Sequence, residues 1–330
     1  MAAIGSGNLT LLDQIKRRAP DGSIARVVEV LTQRNAVLQD AVWKEGNLPT
    51  GHRFVSRTAL PSIAFRRFNE GVATSKSRTA QIDETCGMLE GWSAIDVELA
   101  KLNGDEAAFR MTEAIAFAQS MNNQVEQSFI YSSSKTAPEQ IMGLSPRMDA
   151  ITGAQYPNQI IPCSAGASGN DQSSIWLVGW GDTTVYAIYP KGSTGGLEHN
   201  DRGILPWDDG TGKKFDAYIS NWKWKFGLCV EDARYLVRIP NVDTSMIAAN
   251  GFDIIEAMVK AYHQIYDPNN ARLAFYVNRK IATYLHLQAL EATKTSTLRV
   301  EDIGGKPVLT FLGVPVRQTD AITNTEAPLA

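Results

Sequence analysis

Residues 105–131 have the strongest helical pattern in this chain of 330 residues. Neither Gly nor Pro interrupts them, and at about 1.5 Å per residue they would form a rod about 40 Å long. Apolar residues recur along one side at helical spacing: Phe109, Met111, Ile115, Ala118, Met121, Val125 and Phe129. The stripe is narrow and its flanks are polar, so we expect one face to pack on a sheet and the others to meet water or partners.

A pattern of period two between residues 174 and 240 supplies such a sheet. The apolar side of its clearest strand consists of Tyr218, Ser220, Trp222, Trp224, Phe226, Leu228 and Val230. Lys223 and Lys225 lie opposite, which predicts one buried and one wet face. We expect this strand to turn at 231–234 and pair with 235–239 as a long antiparallel hairpin. Its tryptophans would form the surface under the long helix.

Weaker patterns predict the remaining elements. Ser23 caps a helix that reaches about Val42, and residues 45–51 then form a turn. Residues 132–174 are expected to be a surface connection with little regular structure, and residues 192–212 another loop. Two further strands are expected in this region, at 175–178 and 185–189.

The C-terminal part has a compact α/β pattern with a boundary near 241–245. Its predicted elements are a helix at 252–266, a strand at 273–277, a helix from Asn278 to about Ala292, and strands at 298–303 and 308–312.

Charge is segregated between two neighbouring stretches. Residues 52–78 hold six Arg or Lys against one acid (6 − 1 = +5), and residues 81–113 hold two against eight acids (2 − 8 = −6). From charge alone, neutralisation within one molecule is the simpler interpretation. The alternative is that the basic arm of one copy lies on the acidic helix of the next.

The basic stretch favours that alternative. Its apolar residues are sparse, and 54–55 and 63–68 are the expected strands of a long hairpin with little core behind it. Such a loop is expensive to order unless another surface covers it. We therefore interpret it as an interface loop.

The composition excludes several classes of function. A formal charge of −3 gives no reason to expect sequence-reading contact with nucleic acid. Three widely spaced cysteines favour reduced thiols over a disulfide frame. We see no secretion signal and no apolar run long enough to span a bilayer, so we expect a soluble chain made in the cytosol.

The sequence predicts no catalytic, cofactor-binding or metal site, and we expect no enzyme activity. The four histidines lie far apart, and no G-x-S-x-G motif is present. Residues 209–214 resemble a phosphate loop but lack its upstream glycine and its Ser or Thr.

Four motifs together resemble the major capsid proteins of tailed double-stranded DNA bacteriophages, which have the Hong Kong 97-type fold. They are residues 45–53 (EGNLPTGHR), 143–147 (GLSPR), 278–280 (NRK) and 305–316 (GKPVLTFLGVPV). Each is moderately specific, and together they span most of the chain.

The resemblance implies an α+β capsid fold with four parts. They are an N-terminal arm (1–51), an extended E-loop hairpin (52–84), a peripheral domain (85–240, with a spine helix at 105–131 and long strands at 174–240) and an axial domain (245–330). The long strands precede the Gly-x-Pro-Val hairpin here, which resembles the permuted variant of the fold. Some relatives cross-link a Lys to an Asn. That site has no match in this sequence, where Lys76 is the lysine of the corresponding loop.

The resemblance further implies a structural role. Copies would self-assemble into pentamers and hexamers of an icosahedral head that encloses the phage genome. The implied location is the virion, with assembly in the host cytoplasm. Possible partners are scaffolding, portal and decoration proteins and non-specifically contacted double-stranded DNA, but no membrane.

Two alternatives stay open. One is an encapsulin-like bacterial nanocompartment shell protein. The other is a soluble hydrolase or carbohydrate-binding protein that uses the Trp-rich strands as a platform.

Our hypothesis for the contact between subunits pairs cations of the E-loop with acids in and before the spine helix. The cations are Arg53, Arg57, Arg66, Arg67 and Arg78. The acids are Asp83, Glu84, Asp105, Glu106 and Glu113.

Overall fold

The computed structural model describes residues 33–102, 105–151, 157–163, 169, 171–245, 254–289, 298–303 and 306–329. These residues form an α+β structure. Its helices are α1 (Ala36–Asp40), α2 (Val97–Lys101), α3 (Glu106–Tyr131), α4 (Ile254–Gln264) and α5 (Arg279–Ala289). Short 3-10 helices lie at Ser145–Arg147, Pro157–Gln159 and Ala233–Tyr235.

The strands form one large sheet and one separate pair. They are β1 (Trp43–Glu45), β2 (Gly51–Ala59), β3 (Arg78–Thr85), β4 (Gly87–Asp96), β5 (Gln172–Trp180), β6 (Val185–Tyr189), β7 (Leu197–Asp208), β8 (Lys214–Val230), β9 (Leu236–Asp243), β10 (Arg272–Val277), β11 (Leu298–Ile303), β12 (Lys306–Phe311) and β13 (Val314–Gln318). The large sheet has the order β11-β12-β13-β10-β5-β6-β8-β4, with β1 added on β6, β7 on β8 and β9 on β5. Strands β2 and β3 pair only with each other in the part of the chain described.

Helix α3 confirms the predicted rod. Asp105 caps it, because its Oδ1 accepts a hydrogen bond of 3.1 Å from the backbone N of Ala108. The helix packs on β8 and β4, where the Phe117 ring stacks on Trp222 at 4.4 Å between centroids. The alternation in β8 therefore predicted the surface under the helix correctly.

The predicted apolar stripe of α3 is only partly buried. Met121, Val125 and Phe129 lie in the main core between the helix and the sheet. Met111 and Ile115 are 66% and 47% exposed, contrary to expectation. The N-terminal half of the helix is instead anchored through Phe109, which packs in a small separate cluster with α2 and the start of β8.

Strand β5 is buried on both faces and joins two cores. Trp176 and Val178 face the core under α3, while Ile175 and Leu177 face the core that contains α4 and α5. Strand β10, from the predicted axial domain, pairs antiparallel with β5. Residues on both sides of the predicted 241–245 boundary therefore share one sheet. The four-part division of the chain stays a prediction.

Helices α4 and α5 and strands β10 to β13 follow the predicted α/β pattern. Asn278 caps α5 as expected, since its Oδ1 accepts a hydrogen bond of 2.9 Å from the backbone N of Ile281. The predicted ends of these helices at 252–253 and 290–292 lie outside the described residues.

The prediction of a loop at 192–212 was wrong, and the segment at 132–174 has the expected irregular structure over most of its described residues but not the expected surface position. Residues 197–208 form β7, which pairs antiparallel with β8. A register shift between Asp201 and Ile204 interrupts the alternation of side chains, so the sequence shows no period-two pattern that would predict this strand. Residues 132–163 lack long elements where described, yet Ile141, Leu144 and Met148 are fully buried. Irregular backbone removes periodicity without removing burial.

Two predicted pairings also differ. Strand β8 does not form a hairpin with β9, because β8 pairs with β4, β6 and β7 while β9 pairs with β5. The 3-10 helix at Ala233–Tyr235 carries the chain to that other position in the sheet. The predicted helix from Ser23 to Val42 is helical only at Ala36–Asp40, and its part before residue 33 lies outside the described residues.

Candidate inter-subunit contact site

The basic stretch forms a projecting hairpin, which we define as β2, β3 and the tip between them (residues 60–77). Strands β2 and β3 pair from Gly51 opposite Thr85 to Ala59 opposite Arg78. Residues 63–68, expected to be the second strand, lie in the tip and form no strand. The sequence did not predict β3, because much of this strand faces solvent and its apolar residues do not alternate with polar ones.

The base of the hairpin is fixed tightly. A side chain at Gly51 would collide with the carbonyl oxygen of Glu84, so the close approach of β2 and β3 requires glycine there. Asn47 braces the same end, because its Oδ1 accepts from the backbone N of Arg53 at 2.7 Å and its Nδ2 donates to the carbonyl of Arg53 at 2.6 Å. Phe54 anchors the base in a buried cluster with Tyr186 and Ile188.

Three of the predicted contact residues have ionic partners within their own chain. Arg53 Nε and Nη2 each donate to a carboxylate oxygen of Asp83 at 2.6 Å, and this hydrogen bonding lowers the pKa of Asp83. Glu84 is buried and pairs with Arg147 at 2.6 Å. Arg147 lies in the 132–174 segment that we had expected to be a surface loop. No pattern in the residues around Glu84 or Arg147 predicts that the two side chains pair.

The tip of the hairpin, unlike its base, is exposed to solvent. Phe65 is fully exposed, and Phe68 and Ile63 are more than 90% exposed. Arg57, Arg66, Arg67 and Arg78 are exposed as well. The hypothesis named the cations and overlooked the phenylalanines, although their lack of a core was visible in the sequence.

The predicted acidic partners lie at the start of α3. Asp105 is the helix cap, and Glu106 hydrogen-bonds the Tyr218 hydroxyl, which raises the pKa of Tyr218. Glu113 lies one turn beyond Phe109 and is partly exposed. Met111 and Ile115 are exposed on the same part of the helix. At about 100° per residue they lie on the opposite side of the helix from Glu106 and Glu113. This end of the helix therefore combines negative charge with uncovered apolar area.

An ion pair holds this end of the helix on the sheet. Arg110 Nη2 lies 2.5 Å from Asp201 Oδ2, and the Arg110 guanidinium stands 4.5 Å from the centre of the Tyr218 ring. A hydrogen bond from the backbone N of Gly203 and the bond from Arg110 lower the pKa of Asp201. The start of α3 is thus attached to both β7 and β8.

The tryptophans do not form an open platform. Trp222 and Trp224 are buried beneath α3, so the carbohydrate-binding alternative loses the exposed aromatic surface on which it rested.

Metal-binding groups and membrane-spanning helices were also considered for the part of the chain that the structure describes. Among the described residues, no group of three or more His, Cys, Asp or Glu is placed to hold a metal ion. No helix in the described ranges is long and apolar enough to cross a membrane.

Comparisons with known proteins identify similar chains. The family model described as "Major capsid protein GP7" matches residues 19–330. A chain in the cryo-EM structure of bacteriophage Epsilon15 is 34% identical, with a TM-score of 0.81 over 100% of this chain and 99% of that one.

More distant structures match as well. The capsid of bacteriophage JBD30 gives 8% identity and a TM-score of 0.49, covering 97% of this chain and 96% of that one. The SrpI encapsulin of Synechococcus elongatus PCC 7942 is 12% identical, with a TM-score of 0.44 over 71% of this chain and 96% of that one. No curated protein matches significantly.

Proposed function

The chain belongs to the major capsid protein family described as GP7, and from this premise we propose how its subunits hold one another in the shell. It is a structural protein that self-assembles into the capsid of a phage virion. Its α+β fold is the predicted Hong Kong 97-type capsid fold. The permuted order of the elements stays a prediction.

Within that role we propose a finer account. The subunits form pentamers and hexamers of an icosahedral head, have no catalytic activity, and enclose double-stranded DNA without reading its sequence. Scaffolding, portal and decoration proteins are the expected further partners. Purified particles should contain double-stranded DNA, and particles that hold a protein cargo in its place would contradict this account.

The observation that carries the contact proposal is the exposure of the hairpin tip. Burying one phenylalanine side chain is worth roughly 1.5–3 kcal/mol. Phe65 and Phe68 gain none of this within their own subunit. A protein whose function is self-assembly has a second copy available to cover them. We assign the tip to contact with that copy.

The start of α3 on the second copy is the matching surface. Its exposed Met111 and Ile115 lie on one side of the helix, and Glu106 and Glu113 lie on the opposite side. The tip therefore has to cross over the helix, with its rings on the first pair and its cations near the second. Apolar burial would supply affinity, and opposite charge would set register and speed of encounter.

The structure reduces the number of charged residues that we assign to the contact between subunits. Asp83 and Glu84 have partners in their own chain, so we assign them, with Arg53, to fixing the hairpin base. Arg57, Arg66, Arg67 and Arg78 remain as the cations offered to the neighbour. We keep Asp105, Glu106 and Glu113 as their acidic counterparts because all three lie at the start of α3, where Asp105 also caps the helix and Glu106 also hydrogen-bonds Tyr218.

Charge reversal at the tip tests this proposal. We expect Arg66→Glu with Arg67→Glu to leave the subunit folded and to abolish particles in electron micrographs. The matched control is Lys135→Glu with Lys191→Glu, which makes the same change in net charge at two exposed lysines outside the hairpin and α3. Normal particles from the tip variant would contradict the ionic contact.

A compensating variant sharpens the test. Adding Glu106→Lys and Glu113→Lys to the tip variant restores opposite charge across the seam. We expect particles to return at least in part. Asp105 stays unchanged because it caps the helix. Failure to recover particles from four-fold variants that still fold would show that the tip cations meet another surface.

A further inference from the structure

Glu126 is a buried carboxylic acid at the meeting point of three segments. It lies on α3 and is fully buried. Its Oε1 accepts a hydrogen bond of 3.1 Å from the backbone N of Val37 and one of 2.6 Å from the Thr319 hydroxyl. One side chain thus ties the N-terminal segment 33–40 and the segment after β13 to the spine helix. We call these three residues the Glu126 junction.

The second oxygen of Glu126 is not satisfied. Its Oε2 is buried and has no hydrogen-bond partner among the described residues. An ionised carboxylate offers acceptor sites on both oxygens, and burying one without donors is costly. The site therefore suits a neutral acid better than a carboxylate, and burial raises the pKa of Glu126 to about 7.

The charges around the junction add to this preference. The charged groups on the elements packed here are Arg34, Asp40, Arg272, Arg279, Arg317 and Asp320. Arg317 lies 3.4 Å from Asp40, and Arg279 lies 3.3 Å from Asp320, so both cations already face other carboxylates. Asp40 and Asp320 each disfavour a negative charge on Glu126.

We propose that the Glu126 junction is a proton-controlled attachment, which holds segment 33–40 against the spine helix when Glu126 is neutral and loosens it when Glu126 ionises. Release exposes the carboxylate to water and moves Asp40 away from it. In a shell this makes the position of the N-terminal segment depend on pH. The inference does not require the contact proposed for the hairpin tip.

The direction of the effect follows from proton linkage. The attached state has the raised pKa, so it binds more protons than the released state between the ordinary value of 4.5 and about 7. Attachment is therefore strongest at low pH and weakens as pH rises through this range. The equilibrium constant for release of segment 33–40 should increase about tenfold per pH unit in the middle of the range and become constant above it.

Hydrogen–deuterium exchange on assembled particles tests the proposal. We expect the protection factors of amides in residues 33–42, corrected for intrinsic exchange, to fall between about pH 5 and pH 7. In Glu126→Gln, which cannot ionise, the same factors should change less than about twofold over that range. The matched control is Glu139→Gln at an exposed glutamate, which should behave as the parent.

Thr319→Val separates proton control from a purely structural role. The Thr319 hydroxyl stabilises the ionised form, and its removal should move the midpoint of the protection change to higher pH. A flat pH profile in the parent, or a Glu126→Gln profile that matches the parent, would overturn the proposal.

Discussion

Arg147 and Glu84 form a two-bond ion pair that ties the base of the projecting hairpin to the body of the subunit. Arg147 Nη1 lies 2.6 Å from Oε1 and Nη2 lies 2.8 Å from Oε2 of the carboxylate. Arg147 Nη2 also donates to the carbonyl oxygens of Met142 and Leu228. The base of the hairpin is thereby fixed, while its tip stays uncovered.

The two ion pairs at this base should differ in their effect on stability. Removing one partner of a buried pair leaves the other charge unpaired, so Arg147→Ala should lower the free energy of unfolding by about 3–5 kcal/mol. Arg53→Ala breaks the exposed pair with Asp83, which water screens, so its effect on the free energy of unfolding should be far smaller. Urea denaturation of unassembled subunits measures both. Equal losses would show that Arg147 does not carry a buried charge pair.

Truncating the rings of the tip should abolish assembly without destabilising the subunit. Phe65→Ala with Phe68→Ala removes side chains that touch little of their own chain, so the free energy of unfolding should change by about 0.5 kcal/mol or less. Particle yield, measured by sedimentation, should fall steeply.

Phe54→Ala is the matched control on the same hairpin. It empties the buried cluster at the base and should cost about 3–5 kcal/mol. Full particle yield from the Phe65 and Phe68 variant would mean that the tip has no role in the contact.

The packing of the spine helix predicts that substitutions on its buried and exposed sides differ in their effect on stability. Trp222→Ala removes the ring that stacks on Phe117 and should lower the free energy of unfolding by about 3–5 kcal/mol. Met111→Ala, on the exposed side of the helix, should change it by about 0.5 kcal/mol or less. Thermal unfolding of both variants provides the comparison. A large loss at Met111 would place that side chain in a core.

The parts of the fold that sequence predicted best have an unbroken period. Helix α3 has no Gly or Pro between Glu106 and Tyr131, and β8 alternates polar and apolar residues from Asn221 to Phe226, although Asn221 on its predicted solvent-exposed side is buried. Strand β7 was missed because the register shift after Asp201 resets its alternation. Strand β3 was missed because it has no core behind most of its length.

Long-range partners could not be predicted from one sequence. Glu84 and Arg147 are 63 residues apart, and Arg238 meets Glu326 at 3.0 Å across 88 residues. Each member looks like an ordinary surface charge in its own segment. The charge segregation at 52–113 singled out the hairpin and the helix start, whose role as a contact site stays a prediction, and it did not show which charges already have partners within the subunit.

A site-specific cross-link tests the central claim most directly. Phe68 is replaced by a photoreactive phenylalanine analogue, assembled particles are irradiated, and the joined peptides are identified by mass spectrometry. We expect covalent dimers in which position 68 of one chain is joined to residues 105–115 of another. Products joined only within one chain, or dimers joined at a different surface, would contradict the account.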